Sequence, residues 1–305
     1  MMTDLHQAID SYIALRRGLG YQLRNAERAL HQYADFLQAR GETMVTAASA
    51  LHWAASREGT MAHYAAERLS HVRMFARYLA AFEPGTEVPP AHVLGGIRKR
   101  KAPHIYSDSE VSSLMALAAR VHPEDRGAAL EVLIGLLAAT GLRPGEAYAL
   151  DRGDVDLDQG ILTIRESKFH KSREVPLHES AVTALRAYRT RRDRWFPKSP
   201  SAPFIACRPQ GRLAAKNVHY GFQNLLTRAG VDDPGRRRPR LHDFRHSFAV
   251  KTLLNWHARG LDVQPMLPLL SAYLGHVNPN TTYWYLSAEP GLLQAAASRL
   301  EEAWA

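Results

Sequence analysis

The chain has 305 residues, of which 46% are hydrophobic, and its formal net charge is +9 at a sequence pI near 9.8. This length allows about two domains with their own cores, and the longest apolar run, 132–142, is far shorter than the roughly 20 residues that span a bilayer. A single cysteine, Cys207, excludes an internal disulfide and any zinc site made of several thiolates. The first ten residues contain acids and no apolar core, so we expect no secretory signal, a cytoplasmic location and no membrane contact. The positive charge favours a polyanionic partner.

The first 82 residues have the apolar spacing of helices throughout. Three stripes share this spacing, at 5–13, 26–37 and 69–79. Three arginines lie between the apolar positions of the last helix, namely Arg68, Arg73 and Arg77. They predict a face that contacts DNA, and a solvated polar face is the alternative.

Residues 84–104 are predicted to form a linker, because they are rich in proline and glycine and show no periodicity. Residues 1–90 hold nine basic and nine acidic side chains, whereas 91–104 hold four bases and no acid. The four bases are Arg98, Lys99, Arg100 and Lys101. Such a connector is suited to crossing a phosphate backbone, and an ordinary solvated linker is the alternative. We therefore predict one helical domain over 1–83 and a second domain over 105–305.

From residue 105 the pattern changes. Ser107 and Glu110 have the spacing of a capping box before an apolar run, and 128–139 is predicted to be a strongly apolar helix. Two short runs at 160–165 and 173–177 alternate as strands do, which predicts a small hairpin. Helical patterns dominate from residue 181 onward. The predicted fold class is therefore mostly α with a small antiparallel β-sheet.

Arg143, in the string ATGLRPGE, is the first candidate functional residue. It follows a buried helix and a turn signal, and its planar guanidinium can donate to two non-bridging phosphate oxygens. The alternative is an arginine that caps a helix or forms an ion pair with Glu146. The string alone leaves both interpretations open.

Lys168 lies between the two strand-like runs, in ESKFHKSREVPL. A lysine at a hairpin tip can enter a cleft and protonate a leaving oxygen, because burial near other cations lowers its pKa. A solvated surface lysine is the alternative. Lys171 is the competing candidate for the same role.

The C-terminal part supplies two further motifs. His242 and Arg245, in LHDFRHSFA, share one helix face about one turn apart and can both donate to a phosphate. His276 closes YLGH, and Tyr285 lies nine residues beyond it in TTYWYLS. Tyr283 is the rival nucleophile, at a spacing of seven. A tyrosine buried in a core is the alternative for both.

In this order the motifs resemble those of the tyrosine recombinases, the phage-integrase family, over about 105–290. The resemblance implies an N-terminal core-binding domain that clamps DNA and a C-terminal catalytic domain. It implies that Tyr285 attacks a DNA phosphate, leaving a 3′-phosphotyrosyl link, and that Lys168 is the general acid, without a metal or other cofactor. The groups implied to surround the phosphate are Arg143, Lys168, His242, Arg245 and His276, with Glu146 orienting Arg143.

The family also implies double-stranded DNA as partner, a homo-tetramer on two duplexes, alone or with related recombinases, and a Holliday-junction intermediate. The TTYWYLSAEPGLL segment resembles integrases of mobile elements. Apolar residues at helical spacing over 292–300 are expected to dock on a neighbouring protomer or on their own domain. The alternatives are a type IB topoisomerase-like enzyme that relaxes DNA, a catalytically silent accessory paralogue, and an RNA-binding module without a recognition motif.

Overall fold

The computed structural model describes residues 4–56, 62–94, 102–165, 172–209, 211–232 and 237–275. The chain divides into two compact units, Met1–Arg100 and Lys101–Ala305. Within the described ranges, no helix combines the length and the apolar character needed to cross a membrane.

The described part of the first unit is a bundle of four helices. They are α1 (Leu5–Gly18), α2 (Arg24–Ala39), α3 (Ala47–Ala55) and α4 (Ala62–Leu79). Their apolar stripes meet in one core, in which Leu30, Trp53 and Phe75 are buried. A capping box between Thr46 and Ser49 fixes the start of α3. The predicted helical stripes are therefore confirmed.

The first part of the predicted linker packs against this bundle. Glu87 accepts a hydrogen bond from the Ala47 backbone N–H at 2.8 Å. Arg73 donates from Nε to the Pro89 carbonyl and from Nη2 to the Pro90 carbonyl, both at 2.9 Å. Residues up to 94 thus belong to the first unit. The basic run Arg98, Lys99, Arg100 and Lys101 lies outside the described residues.

The second unit is mostly helical, and its core surrounds α6. The helices described in it are α5 (Asp108–Ala119), α6 (Glu124–Thr140), α7 (Pro144–Ala149), α8 (Glu179–Arg192), α9 (Ala215–Ala229), α10 (Asp243–Ala258) and α11 (Leu267–Leu274). The helices α5, α8 and α10 pack against α6, which explains why α6 is apolar on most of its sides. The predicted capping box of α5 is present, with Ser107 N–H donating to Glu110 at 2.7 Å and Glu110 N–H donating to Ser107 Oγ at 3.1 Å.

A three-stranded antiparallel sheet lies at one side of this unit. Its strands, in sheet order, are β1 (Val155–Asp156), β2 (Ile161–Ile164) and β3 (Arg173–Pro176). Leu162 pairs with Val175, and Ile164 pairs with Arg173, so the predicted hairpin is confirmed. A second ladder joins β4 (Ala206–Cys207) and β5 (Gly211–Arg212). The sequence did not predict β1, β4 and β5, because two-residue strands show no periodicity.

Packing between α10 and α11 brings the end of α11 close to the turn after α6. The buried residues of this cluster are Ala249, Val250, Leu253, Leu267, Leu270 and Leu274. Gly141 ends α6 in the left-handed region, at φ 62°, and a Cβ there would lie 2.7 Å from the Phe248 ring. Only glycine satisfies both conditions at this position. The turn to Arg143 can therefore lie directly against α10.

Candidate active site

The C-terminus of α11 accepts hydrogen bonds from three arginines on three consecutive carbonyls. The pairs are Arg173 Nε to Tyr273 at 3.0 Å, Arg245 Nη2 to Leu274 at 2.5 Å and Arg143 Nη2 to Gly275 at 2.9 Å. The last carbonyls of a helix lack partners within the helix and carry the negative end of its dipole, so guanidinium groups stabilise them. Three cations therefore meet at the residues that directly precede His276 in the chain.

Arg143 is the N-cap residue of α7 and is tied to Glu146. Its Nη1 donates to Glu146 Oε1 at 2.7 Å, and its backbone N–H donates to Oε2 at 3.0 Å. The Arg143 side chain keeps 26% of its surface exposed. The ion pair that the sequence offered as an alternative interpretation is thus present together with the bond to Gly275. Arg143 is held on two sides and still faces solvent.

Glu146 binds a second arginine, Arg173 of β3. Arg173 Nη1 donates to Oε1 at 3.0 Å and Nη2 to Oε2 at 2.8 Å, in a bidentate pair. Burial raises the pKa of Glu146, but the bonds from Arg173 and Arg143 outweigh burial and lower this pKa to about 2. Glu146 is therefore a carboxylate throughout the neutral pH range, shared between two guanidinium groups.

Arg245 is almost completely buried, with 2% of its surface exposed. Besides its bond to Leu274, its Nη1 donates to the Gly141 carbonyl at 3.0 Å. One guanidinium on α10 therefore joins the turn after α6 to the end of α11. Because α10 also holds His242 at its N-terminus, the predicted pair stands on one rigid element.

His242 lies close to the arginine cluster and is a neutral imidazole at pH 7. Burial lowers its pKa, and the nearby Arg245, Arg240 and Arg143 lower it further, to about 4 in total. The ring of His246 lies 5.2 Å from it between centroids, in a T-shaped contact, and the pKa of His246 is also lowered to about 4, mainly by burial. A neutral imidazole offers one donor and one acceptor.

The loop before α10 is fixed by a buried carboxylate, Asp243. Its two oxygens accept bonds from Arg237 Nη2, both at 2.8 Å. The Arg240 backbone N–H donates to it at 2.9 Å, and Arg240 Nη2 donates at 3.1 Å. These bonds hold the residues that lead into His242, so the N-terminus of α10 is positioned by charge as well as by packing.

The structure thus brings together four of the predicted site residues, Arg143, Glu146, His242 and Arg245. Lys168 and its rival Lys171 lie in the connection between β2 and β3, outside the described residues. His276, Tyr285 and the rival Tyr283 also lie outside the described residues, beyond the end of α11 in the chain. Their roles remain predictions.

A model of the phage integrase family matches residues 106–290, well over half of the chain. The chain belongs to this family. Its members, the tyrosine recombinases, cleave DNA and transfer its strands through a tyrosine intermediate. The recombinase therefore acts on DNA, and it carries the enzymatic activity that the sequence predicted.

Relatives of known name agree with this assignment. The recombinase is 40% identical to the putative integrase/recombinase y4rB of Sinorhizobium fredii (strain NBRC 101917 / NGR234) over 313 residues, which cover 99% of each chain. It is 30% identical to the tyrosine recombinase XerD of Caulobacter vibrioides over 224 residues, which cover 72% of this chain and 69% of that protein.

Solved structures have the same fold at low sequence identity. The Tn1549 transposon integrase in complex with transposon right end DNA aligns with a TM-score of 0.68 and 16% identity, over 99% of this chain and 100% of that one. The XerH site-specific recombinase bound to its palindromic difH substrate aligns with a TM-score of 0.65 and 19% identity, over 90% and 78%. The predicted fold class is therefore confirmed.

The basic face predicted on α4 is wrong for Arg68. This residue is only 9% exposed, and its guanidinium lies 3.8 Å from the centroid of the Trp53 ring. A cation–π contact and a bond from Nη1 to the Ala54 carbonyl at 3.5 Å allow this charge to be buried. Arg73 binds the two proline carbonyls described above, and Arg77 is exposed. Contact of Arg73 and Arg77 with DNA remains a prediction.

A polar pocket of about 160 Å³ lies between α2 and α4 of the first unit. Its lining residues are Asn25, Arg28, Ala29, Gln32, Tyr64, Glu67, Arg68 and His71. Sequence reasoning missed this pocket, because its polar residues come from two helices. It also missed Arg173, because a basic residue at the start of a predicted strand is a weak signal.

Proposed function

We propose that this recombinase is site-specific, an integrase of a mobile element, in which Arg143, Arg245 and His276 stabilise negative charge on a scissile phosphate. The observation that carries the proposal is the convergence of Arg143 and Arg245 on the consecutive carbonyls of Gly275 and Leu274. His276 is the next residue along the chain. Donors that are positioned before the reaction stabilise developing charge without reorganisation, which makes them the largest single contribution in many enzymes.

The proposed reaction starts when the Tyr285 phenol gives its proton to His242 or to water and its oxygen attacks the phosphorus of one phosphodiester. A new P–O bond forms a 3′-phosphotyrosyl link as the bond to the 5′ oxygen breaks. Lys168 gives a proton to that leaving oxygen, so a 5′-hydroxyl is released. A 5′-hydroxyl from another strand then reverses these steps and restores the tyrosine. One phosphodiester replaces another, and the balance needs no cofactor or metal.

His242 assists proton transfer or positions the phosphate in this scheme. Its lowered pKa, about 4, means that it meets the substrate as a neutral group at pH 7. A neutral imidazole can accept the phenol proton of Tyr285 or donate to a phosphate oxygen. A permanently protonated imidazole could do only the second.

DNA binding is proposed to use backbone contacts outside this centre. The candidates are Arg73, Arg77, Arg98, Lys99, Arg100 and Lys101. Contacts from lysine and arginine to phosphates give affinity without sequence specificity, and the affinity falls as salt rises. A homo-tetramer on two duplexes with a Holliday-junction intermediate belongs to the same proposal, as does a cytoplasmic location.

The choice of a mobile-element integrase rests on the relatives. The match to y4rB, named a putative integrase/recombinase, spans 99% of both chains, whereas the match to XerD spans 72% of this chain at lower identity. The aligned structures include a transposon integrase on transposon end DNA. These similarities favour integration over resolution of chromosome dimers.

A type IB topoisomerase-like activity is the competing function. An assay with two separate duplexes distinguishes this activity from recombination. A recombinase joins the two separate sites, whereas a topoisomerase relaxes supercoils without joining them.

The deciding experiment traps the covalent adduct. A duplex selected by the wild-type protein from a random-sequence pool is rebuilt with a nick, so that the cleaved fragment diffuses away and the adduct persists. We expect adducts with wild-type protein and Tyr283→Phe, and none with Tyr285→Phe. Adducts that persist in Tyr285→Phe and vanish in Tyr283→Phe would show that the nucleophile is misassigned.

The segment after Tyr285 is proposed to dock on a neighbouring protomer. Truncation after Ala288 should then reduce assembly on the selected duplex, measured as the mass of the complex by light scattering. Docking on its own domain is the alternative. A truncated protein that assembles as the full chain does would remove the proposal of docking between protomers.

A further inference from the structure

Arg173 differs from the other two arginines at the end of α11, because none of the predicted roles includes it. Its side chain is 13% exposed, and its three donor groups reach Glu146 Oε1, Glu146 Oε2 and the Tyr273 carbonyl. It therefore contacts the partner of Arg143 on one side and the segment that leads to His276 on the other. It stands on β3 opposite Ile164, at the last pair of the β2–β3 ladder.

We propose that Arg173 is a positioning residue for DNA cleavage, which orients Arg143 through Glu146 and holds the end of α11 through the Tyr273 carbonyl. This inference rests on the proposed function, because it needs Arg143 to act on the scissile phosphate. Arg173 itself is not proposed to touch DNA.

The first argument is the charge balance at Glu146. This carboxylate is 7% exposed, and it accepts two bonds from Arg173 and two from Arg143. A buried carboxylate that loses one of two cationic partners is left with the other partner alone to compensate its charge. Without Arg173, Glu146 would therefore hold Arg143 more tightly and in a different orientation, and Arg143 would be less able to donate to a phosphate.

The second argument is the shape of the backbone at Gly275. This residue has φ 68°, and a Cβ there would lie 2.8 Å from Arg173 Nη1 and 3.0 Å from Arg173 Cζ. The guanidinium thus lies close to the residue that precedes His276, whose left-handed backbone conformation favours glycine. Arg143 binds the carbonyl of the same glycine at 2.9 Å. Arg173 therefore lies beside the glycine whose carbonyl Arg143 binds, and it bonds the carbonyl two residues earlier.

The third argument is the position of Arg173 in the hairpin. The strands β2 and β3 flank the connection that holds Lys168, and Arg173 lies five residues after that lysine. Through Arg173, the hairpin that carries the proposed general acid is bonded to Glu146 and to α11. One side chain thus connects three of the segments that the reaction needs.

The test compares single-turnover formation of the Tyr285 adduct in Arg173→Ala and Arg173→Lys on the selected nicked duplex, with DNA affinity and thermal stability measured separately. Because misplacement of about 1 Å costs up to about a hundredfold in rate, we expect Arg173→Ala to slow cleavage by about tenfold to a hundredfold. DNA affinity should change by less than about threefold, as one interaction outside the DNA contact is lost. Arg173→Lys, which keeps the charge and loses the bidentate geometry, should recover part of the rate.

Arg212 offers a matched control in the same unit. It also bonds a carboxylate, Asp151, and two carbonyls, those of Tyr148 and Leu150. Arg212→Ala should lower stability and leave the cleavage rate of the folded protein unchanged. An equal loss of rate in Arg212→Ala and Arg173→Ala would show a general structural effect and overturn the inference.

A double-mutant cycle with Glu146→Gln separates positioning from packing. If Arg173 acts through Glu146, the rate loss from Arg173→Ala should shrink when residue 146 is already changed. Additive losses, or wild-type rates in Arg173→Ala, overturn the inference while the proposed function stands. Absence of any Tyr285 adduct in the wild-type protein would instead overturn the proposed function, and this inference with it.

Discussion

On α4 of the first unit, Arg73 donates to two proline carbonyls and Arg68 lies over a tryptophan ring. At the end of α11 in the second unit, three arginines also donate to backbone carbonyls. The two groups differ because the arginines at the end of α11 converge on one place, whereas those of α4 do not. The α11 carbonyls are consecutive, two of their arginines share one buried carboxylate, and a neutral histidine lies beside them.

This comparison shows that burial and hydrogen bonding do not by themselves distinguish a structural arginine from a candidate catalytic one. Arg68 and Arg245 are both largely buried and both bond a carbonyl. Cations that crowd at one point repel each other, and an anion lowers the free energy of such a cluster. A phosphate would relieve that repulsion, whereas the separate arginines of α4 have no such need.

The largest expected effect is on the cleavage rate, which should fall in Arg143→Ala and not in Arg73→Ala. Loss of one preorganised donor costs about 10²–10³ in rate, so Arg143→Ala should slow single-turnover cleavage of the selected duplex by that factor. Arg73→Ala should leave the cleavage rate at saturating protein unchanged and weaken DNA binding only. Equal effects of the two changes on the chemical step would break the comparison between the units.

The burial of two histidines beside the cations of the second unit should also appear as a pH dependence of stability. His242 and His246 have pKa values near 4 in the folded chain, below the value of about 6.5 expected when unfolded. The unfolded chain therefore binds more protons than the folded chain as pH falls through 6.5, and stability falls with it, by about 2 kcal/mol for each imidazole between about pH 7 and about pH 5. Chemical denaturation at a series of pH values measures this slope.

His242→Gln should reduce that slope, and His219→Gln on the exposed face of α9 serves as the control. A slope that is unchanged in His242→Gln would mean that burial and the nearby arginines do not hold this imidazole neutral.

A smaller effect is expected in the first unit. Arg68→Ala removes the contact with Trp53 and the bond to Ala54, and it should lower the free energy of unfolding by about 1–2 kcal/mol. The cleavage rate of the folded protein should not change, since Arg68 lies in the N-terminal bundle. Thermal unfolding and single-turnover cleavage of the same variant measure the two quantities. Slower cleavage by the folded Arg68→Ala protein would contradict this prediction, because it would give Arg68 a role in the reaction.

The smallest effect is expected for an exposed ion pair of the second unit. Lys251 donates to Asp108 at 2.5 Å, with 41% and 97% of the two side chains exposed. Exposed pairs contribute about 0–1 kcal/mol, so Lys251→Ala should change stability by less than about 1 kcal/mol. Denaturant unfolding checks this value against the loss in Glu146→Gln, which should be larger because Glu146 is buried. A larger loss of stability in Lys251→Ala than in Glu146→Gln would contradict this prediction.

Long elements with strong periodicity could be predicted from the sequence, and short elements could not. The helix α2 follows from its apolar spacing, α6 follows from its long apolar run, and the start of α5 follows from its capping box. The strands β1, β4 and β5 are two residues each and carry no such signal. Their pairing depends on contacts between distant parts of the chain.

The site residues show the same limit. The motifs identified Arg143, His242 and Arg245, because their spacing along the chain is characteristic. Arg173 was missed, since its partner Glu146 lies on another element and only the fold brings them together. Arg68 was misplaced for a related reason, because helical spacing does not show that a neighbouring helix presents Trp53 to the guanidinium.

The most direct test of the account removes the charge from the phosphate instead of from the protein. A selected nicked duplex with a methylphosphonate at the scissile position has no negative non-bridging oxygen pair to neutralise. If Arg143 stabilises that charge, the rate loss of Arg143→Ala in forming the Tyr285 adduct should be at least about tenfold smaller on the methylphosphonate than on the phosphate. An equal loss on both substrates would contradict the account, because Arg143 would then support the fold or the binding of DNA and not the charge at the reacting phosphorus.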